Sequence, residues 1–177
     1  KILIMKKLVL LFCITALTFS FDNGKLTDRS SWYKTPEDLI RDIYVAVSAA
    51  DSESVDWQKV RSMFIDEAVV ILRTSREKLT QFTADGFIQD FKDFYQMPEV
   101  SASGFVEKLI RMKAMVYNDI AFIVTEYTAA IPKSSRPPSR GVDLWLLSKK
   151  DGLWKITSVV NEVIPTGQEL PDMPVWK

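Results

Sequence analysis

Apolar and polar positions alternate with a period of two through Arg140–Glu162, RGVDLWLLSKKDGLWKITSVVNE. Val142, Leu144 and Leu146, the set richer in aliphatics, alternate with Asp143, Trp145 and Leu147. Leu153, Lys155 and Thr157 alternate with Trp154, Ile156 and Ser158 before Val159-Val160 close the run. A period of two places successive side chains on opposite faces of a strand, so the pattern predicts two strands with one well-buried face and one partly covered. Asp151-Gly152 between them is turn chemistry, since Gly accepts positive φ and Asp bonds its own backbone. Trp145 and Trp154 are expected to pack across the strands, with a pocket wall as the alternative. A lone hairpin is marginal in water, so further strands or a covering helix must exist.

The rest of the chain supplies them. Thr35-Pro36-Glu37-Asp38 has a cap, a first-turn proline and a back-reaching acid, and so predicts a helix start. Leu39, Ile40, Ile43, Ala46, Val47 and Ala50 then recur at spacings of three and four, an apolar stripe interrupted by Asp51–Val55. A second short helix is expected from Asp56 as cap, with Trp57, Val60, Arg61 and Phe64 inward and Asp66-Glu67 ending it. Ala68–Leu72 is the next strand, Arg73–Lys78 a charged turn, and Leu79–Phe82 is too short to assign. Thr83–Tyr95 predicts a third helix through Phe87, Ile88, Phe91, Phe94 and Tyr95, and Met97–Ser103, with Pro98, a loop. Phe105–Met115 alternates imperfectly as a long strand, Tyr117-Asn118-Asp119 turns it, and Ile120–Ala130 is a strongly β-prone return. Ile131–Ser139 is a proline-rich loop. After the hairpin the tail carries Pro165, Gly167, Pro171 and Pro174, and its Leu170, Met173, Val175 and Trp176 are placed to lie along the domain or a partner. Helices followed by mostly antiparallel strands give an α+β fold, the N-terminal helices covering one face of a curved antiparallel sheet. The concave space between them is where a pocket is expected.

Composition narrows the function classes. The 177 residues carry 23 basic and 23 acidic side chains and no histidine. No basic stripe marks a nucleic-acid partner, and imidazole acid–base chemistry at neutral pH is excluded. At the start, Lys6-Lys7 precede the apolar run Leu8–Leu17, followed by Thr18-Phe19-Ser20, the layout of a secretory signal peptide over residues 1–20. The run is too short for a membrane span. Met5 is the expected translation start. Cleavage after Ser20 would remove Lys1, Lys6 and Lys7 and no acid, leaving an excess of three acidic charges, and would also remove Cys13, the only cysteine. An exported, periplasmic or extracellular chain without thiols then has no disulfide, thiolate ligand or thiol nucleophile. Residues 21–34 form an expected linker and 35–177 the domain with its extended tail. Asp90, Asp93 and Glu99 lack the repeated oxygen ligands of a calcium site, and the six glycines form no phosphate loop, so no metal or cofactor is expected.

Several fragments together carry a resemblance. These are Tyr44 followed by Ala49-Ala50-Asp51, Trp57–Phe64 with Asp66-Glu67-Ala68, Phe105 with Glu107, and Asn118–Val124 leading to Tyr127. Arg140-Gly141-Val142-Asp143 and Gly152–Ile156 complete the set. In that order they resemble the nuclear transport factor 2-like superfamily from about Pro36 to Pro171, in its small bacterial branch. The superfamily's cone-shaped, cystatin-like α+β fold is shared by ketosteroid isomerase, scytalone dehydratase and the polyketide cyclase-like (SnoaL-like) proteins. The resemblance places Tyr44 at the isomerase donor tyrosine, but the base position falls at or near Leu72, which accepts no proton. The cyclases and dehydratases rely on a histidine that this chain lacks.

The candidate pocket residues are Tyr44, Tyr127, Asp143 and Trp145. Asp143 is expected either in a rim ion pair with Arg140 or as a pocket carboxylate paired with it, with a shifted pKa. Of the neighbours Glu126 and Tyr127 only one can face inward, and the family pattern favours Tyr127. Glu107 and Arg111 are expected on one strand face but far apart along it. Three readings stay open: a cell-envelope module binding a small apolar molecule in its cone, a homodimer packed through the outer sheet face with Trp145 or Trp154, or an enzyme working with carboxylate and tyrosine.

Overall fold

Thr35 caps the first helix through its side-chain oxygen, which accepts the Asp38 backbone N–H at 3.2 Å, with Pro36 in the first turn. The computed structural model describes residues 33–170 and 174–176, so the expected signal peptide and nearly all of the expected linker lie outside it. Helix α1 (Pro36–Ala46) buries Leu39, Ile40 and Ile43 of the stripe the spacing predicts, with Tyr44 beside them. It stops short of Ala50 because Ala49 and Phe105 exchange backbone hydrogen bonds at 3.0 and 2.9 Å, which draws the chain out of the helix.

Asp56 caps α2 (Trp57–Ser62), and β1 (Phe64–Ser75) begins directly after it. Asp66-Glu67, expected to end a helix, are strand residues; Phe64 opens the strand rather than facing in from α2. Lys78–Thr83 forms β2, the segment too short to assign from sequence. Thr83 caps α3 (Ala84–Tyr95). Pro98–Ser103 is a short helix, α4, where a loop is expected, because proline at the first helical position starts it. Strands β3 (Val106–Tyr117), β4 (Ile120–Ala130), β5 (Ser139–Lys150) and β6 (Leu153–Ile164) complete the chain. Asp151 and Gly152 both take positive φ, the geometry of a two-residue hairpin turn that matches strand twist.

The six strands form one sheet in the order β2-β1-β6-β5-β4-β3. Every neighbouring pair is antiparallel except β1 and β6, which come from opposite ends of the domain and run parallel. The α+β class holds, with this one departure from an antiparallel sheet. The inner face, towards the helices, is built around an aromatic cluster. Phe91 lies between Phe87, Phe94, Tyr95, Phe105 and Trp57, with ring centroids 5.2 to 6.4 Å apart. Such offset and edge-on contacts add to the apolar burial itself.

Strand β5 turns the opposite way from its aliphatic pattern. Asp143, Trp145 and Leu147 are buried on the inner face, whereas Leu144 and Leu146 are 42% and 50% exposed. Both sets are apolar enough to be covered, and α1 packs on the tryptophan side. Trp154 also points inward and is buried. It pairs with Lys149 while Trp145 pairs with Val159, so the tryptophans neither pack across the strands nor offer an outer dimer face. The outer face instead exposes Met115, Ile120, Leu144, Leu146 and Val160.

On that outer face Glu126 is buried and accepts Arg111 Nε at 2.6 Å and Arg140 Nη2 at 2.7 Å. Burial pushes its carboxyl up, but the two guanidinium hydrogen bonds outweigh this and hold it below the usual range. The Trp176 ring, in a 3-10 turn at Pro174–Trp176, covers Arg111 at 4.4 Å. Met173 lies outside the described residues. Arg140 is thereby committed to Glu126, not to Asp143.

Candidate functional site

Three inward-facing polar residues stand in one row across the sheet. Thr125 on β4 pairs with Asp143 on β5, and Asp143 pairs with Asn161 on β6. Tyr44 descends onto this row from α1, where its place next to the apolar stripe aims it at the sheet. Its hydroxyl donates to Asp143 Oδ2 at 2.5 Å and lies 2.6 Å from Thr125 Oγ1, which in turn accepts Trp145 Nε1 at 2.9 Å. The Asn161 amide donates to Asp143 Oδ1 at 2.7 Å and to the Tyr127 hydroxyl at 2.8 Å. Tyr44 has one proton and gives it to the carboxylate, so Thr125 donates to Tyr44. Tyr127 receives the Asn161 proton and keeps its own for the cavity it lines. Donors from both sides therefore converge on Asp143.

Tyr127 fits only because Gly141 faces it across the β4–β5 pair. A Cβ at that position would stand 2.3 Å from the Tyr127 hydroxyl. Above the row is a cavity of about 170 Å³, with apolar walls from Ile43, Val47, Phe64, Val70, Leu72 and Phe87. Tyr44, Tyr127, Asp143 and Trp145 all line it, as do Asn161 and Glu107. The structure thus brings the four sequence candidates together. Thr125, Asn161 and Glu107 are the members that the residue pattern did not single out as pocket groups.

Glu107 has the most perturbed carboxyl. A register shift between Leu109 and Arg111 turns Arg111 to the outer face while Glu107 stays inside, so the two do not share a face as expected. Among the described residues the Glu107 carboxyl makes no hydrogen bond or ion pair. Burial, and then the charge of Asp143, push its pKa up to about 8. Burial also raises Asp143, to about 6, against the lowering effect of the Tyr44 and Asn161 hydrogen bonds. At neutral pH the cavity thus holds one ionised acid with two donors and one neutral acid with none. Tyr44 and Tyr127 are held neutral far above neutral pH, by burial first and by the charge of Asp143 next. Among the described residues no group of three His, Cys, Asp or Glu is placed to hold a metal ion.

No family model matches the chain. No curated protein matches it either. Solved structures do. A protein of unknown function with a cystatin-like fold from Nostoc punctiforme superimposes with a TM-score of 0.57 at 14% identity, covering 73% of this chain and 89% of that one. An NTF-2 like protein of unknown function from Silicibacter pomeroyi gives 0.51 at 16%, covering 72% and 92%. The chain has the nuclear transport factor 2-like, cystatin-like fold. The hexachlorocyclohexane dehydrochlorinase LinA-type3 from Novosphingobium barchaimii is also similar, with a TM-score of 0.55 at 14% identity over 76% of this chain and 90% of that one.

Within the nuclear transport factor 2-like fold, Tyr44 faces the cavity from the first helix. Leu72 on β1 lines the same cavity and brings no acid to it. Replacing Tyr44 with phenylalanine removes one of the two donors to Asp143, so the Asp143 carboxyl should titrate above 6. Stability should fall by about 1–2 kcal/mol, the cost of leaving buried acceptors short of a donor. Carboxyl NMR and chemical denaturation of the variant check both. An unmoved Asp143 midpoint would mean that Tyr44 does not donate to it.

Proposed function

We propose that this domain is an exported, non-catalytic binding module that holds a small, uncharged, largely apolar molecule in its cone. The observation that carries the reading is the division of the cavity wall: apolar side chains around most of it, and at its base a polar row with a spare Tyr127 proton and an unpartnered Glu107 carboxyl. A site of that composition contacts a ligand broadly through apolar area and fixes it through a few polar atoms. The ionised Asp143 disfavours an anion. Export rests on the basic and apolar pattern of residues 6–20. The exposed row of Leu144, Leu146 and Val160 supports a homodimer through the outer face.

A second reading, an enzyme that moves a proton, is favoured by one observation. Glu107 and Asp143 share the cavity, with pKa values pushed to about 8 and about 6. A neutral acid beside an ionised one is the division of labour that acid–base catalysis uses. The fold hosts binding and catalysis alike and does not choose between them.

Native mass spectrometry of the protein recovered from its own cells, with extraction of any bound compound, tests the main reading. Two chains carrying a reproducible uncharged compound are expected. A single chain would overturn the dimer, and an empty cone or a bound anion would overturn the ligand assignment. Conversion of the extracted compound on re-addition would transfer the case to the enzyme.

A further inference from the structure

The cavity does not end at Glu107. A second space of about 430 Å³ lies beyond it, lined by Phe91, Phe94, Phe105, Ile131 and Pro137. Arg73, Phe91 and Glu107 line both spaces, so the two adjoin along these residues. The inner one has room for a single ring, since cavities of about 150 Å³ are known to take up benzene. The outer one offers the edges and faces of three phenylalanines, with Phe105 5.0 Å from Phe94 and 5.7 Å from Phe91 between centroids.

We propose, resting on the pocket reading above, that the two spaces are one elongated site for an uncharged two-ring molecule. In this arrangement a hydrogen-bond acceptor at mid-length, a carbonyl or ether oxygen, lies against Glu107. One ring fills the inner cavity above the Thr125–Asp143–Asn161 row, and the other lies among the three phenylalanines.

The charges around Glu107 support this ligand class. On the inner side it faces Asp143 from β5, Tyr44 from α1 and Tyr127 from β4; Tyr95 of α3 also senses it. The three tyrosines are held neutral by burial. On the outer side stand Arg73, Asp90 and Arg136. Arg73 is taken by Glu162 at 2.8 Å and Arg136 by Glu99 at 3.4 Å, so neither is reserved for a ligand anion. Asp90 is raised by burial and by Asp93. Glu107, neutral below about pH 8, is a proton donor without an acceptor among the described residues. Glu107 is partly buried and lines both spaces, so a ligand oxygen lying between them can accept its proton.

Benzophenone, two rings joined by a carbonyl, and diphenylmethane, the same frame without the oxygen, are the probes. At pH 7 the protein should bind benzophenone about 5-fold or more tightly than diphenylmethane. The preference should vanish at pH 9.5, where Glu107 has lost its proton, and in Glu107→Leu at either pH. Glu107→Gln, whose amide donates at every pH, should keep it at both. A preference indifferent to pH and to Glu107→Leu overturns the assignment of the acceptor, as does equal binding of the two probes. Binding of neither overturns the pocket reading as well. Phe94→Ala should weaken benzophenone about 5-fold and leave one-ring acetophenone unchanged; equal effects on both overturn the two-chamber arrangement.

Discussion

Replacing Glu107 with glutamine should make the protein more stable than the wild type at pH 9 and flatten its loss of stability above pH 5. The folded protein holds the Glu107 proton up to about pH 8, whereas an ordinary glutamate releases it near 4.5. Between those values the folded state binds more protons than the unfolded state, so raising the pH favours unfolding. The contribution is complete below about pH 4.5 and is lost as pH rises through 8. Each unit of separation corresponds to about 1.4 kcal/mol, which sets an upper bound of about 4–5 kcal/mol for Glu107. Asp143, raised from 3.8 to about 6, adds a smaller loss in the same direction between those values. Glutamine keeps the shape and never ionises. Denaturant unfolding at pH 5, 7 and 9 should therefore give a falling series for the wild type and a nearly level one for Glu107→Gln above pH 6. Parallel series would mean that Glu107 is solvated like an ordinary surface acid.

Gly141→Ala should cost about 3 kcal/mol and disable the polar row with it. The added methyl would stand 2.3 Å from the Tyr127 hydroxyl and 2.4 Å from its ring carbon. Tyr127 cannot swing away freely, because Asn161 donates to its hydroxyl at 2.8 Å and its ring packs 5.9 Å from that of Tyr44. Overpacking a filled core costs roughly 1–3 kcal/mol where neighbours can yield, and this site has little room to do so. Equilibrium unfolding gives the loss directly. Gly141→Ala combined with Tyr127→Phe should recover part of it, since the closest clash is with the hydroxyl. A double variant no more stable than Gly141→Ala alone would place the strain elsewhere.

Much of the fold could be read from spacing, and the reasons for the misses are local. Strand β4 follows its β-prone run from Ile120 to Ala130, and α1 begins at its capping threonine, because those signals are short-range. Register is not short-range. Counting back from the Asp151-Gly152 turn sets Asp143 opposite Val160, but an extra residue in β6 near Thr157 sets it opposite Asn161. That one residue carries Asn161 to the inner face and makes the Thr125–Asp143–Asn161 row. A second shift, at Ile110, separates Glu107 from Arg111 in the same way. An insertion of this kind leaves no compositional mark, since the side chains remain suitable for a strand on either face. Arg140 as a partner for Asp143 failed for a simpler reason, with no insertion involved: three residues apart in a strand, they lie on opposite faces, and the buried Glu126 claims the arginine.

Everything proposed for the cone depends on a neutral acid beside an ionised one, and a site-resolved carboxyl NMR titration of the ligand-free protein reads both groups. A Glu107 midpoint near 8 and an Asp143 midpoint near 6 are expected. Midpoints of both groups near 4 would contradict this, showing two solvated carboxylates and no enclosed polar row.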